Sequence, residues 1–292
     1  MTRERSDPCL WLKEITAEII KELPLMKRYS QHIMVDCRLG YLFRETLSRL
    51  NVRSAMEIGA GPGLLTMFIK DVVKYLVAVE LDIKFLEFGS KLFSDEPNVE
   101  YLLSDGLKLL NSNALRVDAV VSNTPYSLTG PILASIIKSN IPYALLTLQK
   151  EVCDRLVATP GDKSYGRVTI FVQNFMKPEV IDYISPTAFY PPPKVWSALV
   201  LLKRHREWRE EDKIFEEFIK CIFNQRRKKA LKIVKECISR LSLKEVEDNT
   251  LRDLLGTKRV YELSIETLNS IMKFVMNTPE VVKARNSLLS DS

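Results

Sequence analysis

The chain has 292 residues, 46% of them hydrophobic and 27% charged, which allows a large core plus a smaller appendage and excludes a disordered or fibrous protein. Five scattered cysteines without a C-x-x-C pair, and only two histidines, argue against a zinc site or a disulfide framework and read as free, mostly buried thiols. Nearly all of the net charge of +6 lies in residues 203–292, where 20 Lys and Arg face 15 Asp and Glu; this suits a polyanionic partner, and equally a solvated helical surface.

Residues 1–28 read as a helical extension. Arg3, Glu4, Arg5, Asp7, Lys13 and Glu14 interrupt any apolar run, and no small-residue cleavage site follows, so no secretory signal is expected. The longest uncharged run, 119–137, contains Asn123, Pro125, Gly130 and Pro131, unlike a membrane span. The expectation is a cytoplasmic protein without a membrane partner. From Ser54 to Leu148 short apolar runs alternate with helix-like stretches, and 55–58, 75–79, 99–103, 119–122 and 144–148 are predicted strands. Alternation of this kind implies an α/β fold with a doubly wound, largely parallel sheet. Runs 168–175 and 198–202 are also predicted strands, fitting a final antiparallel pair. Beyond Arg206 the period becomes helical, at 212–235 and 264–276, so a boundary is placed near 205. The predicted organisation is thus an extension (1–28), an α/β domain (29–205) and a small all-α domain (206–292).

The first strand runs into Glu57-Ile58-Gly59-Ala60-Gly61-Pro62-Gly63 and then a helix. Glycines there let the backbone turn tightly and pass close to a ligand. In a dinucleotide fingerprint, G-x-G-x-x-G, the third glycine would fall at Leu64; here it comes one residue early, which suits an amino-acid and nucleoside ligand lacking a pyrophosphate. The bland alternative is a glycine-rich turn with no ligand. Glu80 ends the second strand, where a carboxylate can accept from two ribose hydroxyls, and Asp105 ends the third, placed for an adenine amine. Leu81 and Gly106 follow them directly and join the candidate cofactor set of Glu57, Gly59, Gly61, Glu80 and Asp105. Either acid alone reads as well as a helix cap.

The fourth strand ends Ser122-Asn123-Thr124-Pro125-Tyr126. The lone pair of an adenine N6 is delocalised into the ring, so the amine is a poor nucleophile. The side-chain oxygen of Asn123 and a backbone carbonyl of Thr124 or Pro125 would each accept one N6 hydrogen and aim the lone pair at an electrophilic methyl. Pro125 stiffens that turn, and Tyr126 is placed to stack on a flipped base. Asn123, Pro125 and Tyr126 are therefore the candidate catalytic residues, Asn123 also touching the cofactor. An ordinary Asn-x-Pro turn with a packed tyrosine is the alternative.

With these residues in order, the chain resembles the KsgA/Dim family of ribosomal RNA adenine dimethyltransferases over most of its length. The glycine loop and Asn123-Thr124-Pro125-Tyr126 resemble two of its motifs, the latter N-[LI]-P-Y. Tyr29-Ser30-Gln31-His32-Ile33-Met34 is similar to its G-Q-[NH]-F-L segment, and Leu128 to Leu133 follows as in the family. Gln149-Lys150-Glu151-Val152, continuing through Arg155-Leu156, Pro160-Gly161 and Tyr165-Gly166, resembles a long signature. So do Phe189 to Val195, Phe223 to Lys228 and, more weakly, Arg259, Leu263 and Ser264.

The resemblance implies a class I, Rossmann-like methyltransferase fold with a mainly parallel seven-stranded sheet. It implies S-adenosylmethionine as donor with no metal, Gln31, His32 and Met34 as cofactor contacts, and N6,N6-dimethylation of two adjacent adenosines near the 3′ end of small-subunit rRNA during ribosome biogenesis. Phe189, Lys194, Arg226, Arg227 and Lys228 are then candidate RNA contacts; a core Phe189, a surface lysine and a solvated helix end are their bland counterparts. The immature small subunit is the expected partner and a monomer the expected state. Departures are Ser30 for Gly, Met34 for Leu, and Thr124 for an aliphatic residue, which raises the question of one methyl or two per base. Competing readings are a nicotinamide-dependent oxidoreductase, a methyltransferase for another adenine-containing nucleic acid or for protein glutamine, and a non-catalytic assembly or transcription factor on the same scaffold.

Overall fold

The computed structural model describes residues 7–22, 32–112 and 114–276; Gln31, with Tyr29 and Ser30, lies outside them. The chain divides into two compact units, one of residues up to Cys153 plus Lys177–His205, the other of Asp154–Met176 plus the residues from Arg206.

The first unit is built from α1 (Pro8–Glu22), β1 (Ile33–Met34), α2 (Cys37–Leu50), β2 (Ser54–Ile58), α3 (Thr66–Ile69), β3 (Tyr75–Glu80), α4 (Ile83–Leu92), β4 (Val99–Leu103), α5 (Gly106–Ser112), β5 (Ala119–Asn123), α6 (Thr129–Lys138), β6 (Tyr143–Gln149), the start of α7 (Lys150–Leu156), β7 (Met176–Ile184), β8 (Phe189–Tyr190) and β9 (Ser197–Arg204). Seven strands form one sheet in the order β4-β3-β2-β5-β6-β9-β7. β2 pairs in parallel with both β3 and β5, while β9 runs antiparallel to β6. The central strands are continuous apolar runs because both of their faces are covered. The chain winds from β2 out to β4 and then returns to β5, so the carboxyl ends of β2 and β5 flank the point where the winding reverses. In such sheets that point is a cleft suited to a ligand.

Local chemistry fixes the helices around it. Asp36 caps α2 by accepting from Arg38 N at 2.8 Å, and Asn51 ends the helix in the left-handed region at φ 52°. Between these caps Leu39, Gly40, Phe43, Thr46 and Leu47 form a buried stripe at helical spacing. A Cβ at Gly40 would lie 2.5 Å from the Phe68 ring, so close approach of α2 to α3 demands glycine. Trp11, Leu12 and Ile19 of α1 are buried in the same core as Phe43, Phe68 and Leu145. The described part of the segment expected to be an appended extension, residues 7–22, is therefore part of this unit.

The second unit holds α8 (Arg167–Gln173), α9 (Asp212–Phe223), α10 (Ala230–Arg240), α11 (Asp248–Leu255) and α12 (Ile265–Met276). Its core joins Phe218, Ile222, Val234, Leu255 and Ile271 to Tyr165 and Ile170. The fully buried Tyr165 donates its hydroxyl to Leu263 O at 2.9 Å. Residues 154–176 thus fold with the helices, whereas the sequence assigns them to the α/β domain. The predicted strand 168–175 is in fact α8. Its β-branched and aromatic residues favour a strand, but Gly166 N bonds Thr169 Oγ1 at 3.1 Å at the helix start, and burial of Ile170 and Val172 overrides propensity. The strand missed instead is β7, at the sheet edge, whose Lys177, Pro178, Glu179 and Asp182 are residues an edge tolerates and a core strand does not.

The cysteines also depart from expectation. Cys9 of α1 is bonded to Cys37 of α2, and Cys221 of α9 to Cys237 of α10, with Cα separations of 5.3 and 5.9 Å; Cys153 is in no disulfide and is buried. Spacing in sequence gives no sign of either pair, because each joins residues on different helices.

Candidate active site

A cavity of about 410 Å³ opens at the carboxyl ends of β2, β3, β4 and β5 and is lined by the glycine loop, both strand-end acids and the Asn123 turn. Gly59 and Gly61 take φ of +70° and +57°, and a Cβ on either would meet nothing within 4 Å. That space is the cradle a close-lying ligand needs. Gly63, whose position set this loop apart from the dinucleotide fingerprint, faces protein. A Cβ there would lie 2.3 Å from the Phe93 ring and 2.5 Å from the Tyr101 hydroxyl, at a φ of +92°.

Glu80 binds the turn that carries it, with Oε1 accepting from Leu81 N and Asp82 N at 2.7 and 2.8 Å and Oε2 accepting from Gly61 N at 2.7 Å. One carboxylate therefore ties the β3 end to the glycine loop and lines the cavity as well. Asp105 does double duty too, its Oδ1 capping α5 through Leu107 N at 2.9 Å while the residue faces the cavity. Leu81 lies exposed on the rim, and Gly106 lets α5 pack on Ile58, whose Cγ2 would be 2.7 Å from an added Cβ.

Glu57 lies buried at the cavity floor. Burial pushes its carboxyl up to about 8, against the pull of a 2.7 Å bond from Thr66 Oγ1 and with a further push from the Glu80 charge. Thr66 is not legible in the sequence as a site residue; its signal is that it opens α3 directly beneath a buried acid.

Asn123, the last residue of β5, has both ends of its amide engaged. Nδ2 donates to His32 O at 2.9 Å, and Oδ1 accepts from Thr147 Oγ1 at 2.6 Å. In the turn that follows, the Pro125 carbonyl is taken by Leu128 N at 2.8 Å, and the buried Thr124 turns its hydroxyl toward Ser122 O at 3.5 Å. The Tyr126 hydroxyl lies 2.6 Å from Ser197 Oγ, and partial burial raises its pKa. Its ring centroid is 5.6 Å from that of His32.

His32 Nδ1 lies 2.7 Å from Pro191 O, and because a carbonyl only accepts, the proton sits on Nδ1. β1 and β8 pair antiparallel, Met34 with Phe189 and Ile33 with Tyr190. The His32–Met34 segment and Phe189 thereby form one wall of the cavity, with Phe189 also buried in the core.

The family model described as ribosomal RNA adenine dimethylase matches residues 25–277. The chain belongs to this family. A relative from Pyrobaculum islandicum, described as a probable ribosomal RNA small subunit methyltransferase A, is 34% identical over 259 residues, covering 88% of this chain and 99% of its own. Among solved structures, a dimethyladenosine transferase from Plasmodium falciparum superposes with a TM-score of 0.69 at 23% identity, covering 83% and 97% of the two chains. The 23S rRNA methyltransferase ErmE gives 0.58 at 20%, covering 80% and 97%. These share the class I methyltransferase fold. As a member of the family, the chain is an S-adenosylmethionine-dependent ribosomal RNA adenine dimethyltransferase.

The basic residues expected at RNA fall into two kinds. Residues 224–228 form a turn between α9 and α10, interrupting the helical period read over 212–235. Arg226 is turned inward, donating to Lys163 O at 2.9 Å with its guanidinium 5.8 Å from the Tyr261 ring centre. Arg227 and Lys228 point to solvent. The Arg259 guanidinium donates to Arg227 O, and Val260 N to Lys228 O at 3.1 Å, so two motifs far apart in sequence meet here. Lys194, in the first unit, is exposed. Among the described residues, no helix is long and apolar enough to cross a membrane, and no cluster of candidate ligands for a metal is found.

Proposed function

We propose that this enzyme dimethylates N6 of two adjacent adenosines near the 3′ end of small-subunit rRNA, acting as a monomer on the immature subunit without a metal. The observation that carries the chemistry is the fixed Asn123 amide at the carboxyl end of β5, beside a proline turn at the mouth of a cavity. The cavity fits S-adenosylmethionine. Gly59 and Gly61 leave a gap that a Cβ would fill, Glu80 and Asp105 offer carboxylate oxygens at the rim, and the buried Glu57 suits a cationic centre. When bound, S-adenosylmethionine supplies a sulfonium methyl as the electrophile.

The protein's own part is positioning. Asn123 Oδ1 and the Thr124 carbonyl accept the N6 hydrogens and turn the nitrogen lone pair out of conjugation. Thr124 is preferred to Pro125 for the second acceptor because the Pro125 carbonyl already binds Leu128 N. Pro125 holds the turn, and Tyr126, anchored through Ser197, offers a face to the flipped base. No side chain has to act as a base, since N6 becomes acidic once alkylated. His32, Met34, Glu57, Leu81 and Gly106 complete the cofactor walls, with Gln31 assigned through the family resemblance. Phe189 meets the base, while Lys194, Arg227 and Lys228 meet phosphate.

The test is to incubate the protein with labelled S-adenosylmethionine and undermethylated small subunits, then identify nucleosides by mass spectrometry. Dimethyladenosine from wild type, and a loss of roughly 100-fold or more with Asn123→Ala, is the expected result. Absence of methylated adenosine from wild type would overturn the substrate, and an active Asn123→Ala would overturn the role of the turn.

A further inference from the structure

Resting on the reading of Asn123 as the N6 acceptor, we infer that Thr147 is a positioning residue that selects which lone pair of Asn123 Oδ1 faces the adenine. Thr147 is wholly buried on β6, directly opposite Asn123 in the parallel ladder, and its neighbours Leu145, Leu146 and Leu148 are wholly buried too. A hydroxyl in such surroundings is costly unless bonded. Its bond is the 2.6 Å contact to Asn123 Oδ1.

The direction of that bond follows from the rest of the amide. His32 O only accepts, so the amide nitrogen must face it, and the oxygen then faces Thr147. An amide oxygen facing a hydroxyl makes the hydroxyl the donor. Asn123 Oδ1 has two lone pairs; Thr147 occupies one and leaves the other for the cavity. Two partners, Thr147 on β6 and His32 just before β1, thus fix both the flip and the rotation of the amide. Without the hydroxyl, the His32 bond alone permits the amide to swing about it, and the acceptor loses its single direction. A displacement of this kind at the acceptor weakens orientation of the amine without removing any substrate contact.

The experiment compares Thr147→Val, which keeps the shape and loses the hydroxyl, with Thr147→Ser, which keeps the hydroxyl. Both are measured in the wild-type and Asn123→Ala backgrounds, with single-turnover methylation of small subunits and S-adenosylmethionine binding as readouts. In the wild-type background Thr147→Val lowers the methyl-transfer rate roughly tenfold, while cofactor affinity and KM for RNA stay within about twofold and Thr147→Ser restores the rate. In the Asn123→Ala background the valine adds no further loss, because the hydroxyl acts only through that amide.

A wild-type rate for Thr147→Val beside an inactive Asn123→Ala overturns the proposal and leaves the reading of the turn intact. Equal losses in both backgrounds, or loss of cofactor binding in step with rate, also overturn it by making Thr147 a structural residue. Full activity of Asn123→Ala removes the reading on which the proposal rests.

Discussion

Glu57 holds its proton to about pH 8, whereas the same carboxyl in the unfolded chain titrates near 4.5. Between those values the native state carries a proton that the unfolded chain has released. Stability of the ligand-free protein therefore falls as pH rises through this window and levels off above it. Glu57→Gln removes that dependence, so urea melts at about pH 5 and about pH 8.5 should converge for the variant relative to wild type. A cation in the cavity favours the ionised carboxylate, so S-adenosylmethionine affinity of the wild type should rise with pH up to about 8 and that of Glu57→Gln stay flat, which calorimetric titration across pH reads directly. At this scale the site is legible where its chemistry is local: Glu80 and Asn123 each end a strand and Asp105 follows one closely, and the end of a strand shows in the sequence. Thr147, Thr66 and the His32 carbonyl are not legible, because each reaches its acid or amide through the fold, Thr147 across a ladder, Thr66 from α3 and His32 from the segment before β1, and such contacts leave no mark on spacing. Gly63 gives the opposite lesson, since its position reads as ligand chemistry and turns out to serve the packing of Phe93 and Tyr101.

Among the elements, two pairs of helices carry cross-links. Cys9–Cys37 joins α1 to α2 over 28 residues, and Cys221–Cys237 joins α9 to α10 over 16. Bridges closing loops of this length stabilise a protein by roughly 2–4 kcal/mol each, through the entropy of the unfolded chain. Reductant should lower the melting temperature, and paired Cys→Ser variants should melt low with or without it. A thiol titration in denaturant decides the premise: one reactive thiol, from Cys153, means both bridges are formed, and five means neither. The central strands are readable as apolar runs between turn residues, because burial on both faces leaves that pattern. α8 and β7 are not. One is a helix made of residues that favour strands, the other a strand made of residues that edges require, and in each case the deciding force is tertiary.

For the molecule as a whole, the basic residues of the second unit separate binding from folding. Arg226 gives its guanidinium to backbone carbonyls, so Arg226→Ala should lower the melting temperature. Arg227 and Lys228 are exposed, and replacing both with Ala should leave melting unchanged while weakening RNA binding uniformly across sequences. Every phosphate that thereby goes unneutralised should flatten the plot of log affinity against log salt by about 0.7–0.9, which filter binding over a salt series measures. An unchanged slope would place the phosphate-binding residues elsewhere.

The helical unit draws residues 154–176 from between the strands of the sheet, and those residues supply Tyr165 and Ile170 to its core. During synthesis this segment leaves the ribosome long before α9 to α12 do, and it has no apolar partner of its own unit until they appear. The sheet's strands are all made by Arg204, so the nascent chain passes through a stage with a finished sheet and an exposed, half-built helical core. A chain cut after His205 would be caught permanently at that stage, presenting the greasy face of α8 to solvent. Isolating the α/β unit by truncation therefore fails at the obvious boundary; excising 154–176 together with the tail, and rejoining the ends, respects how the protein is assembled.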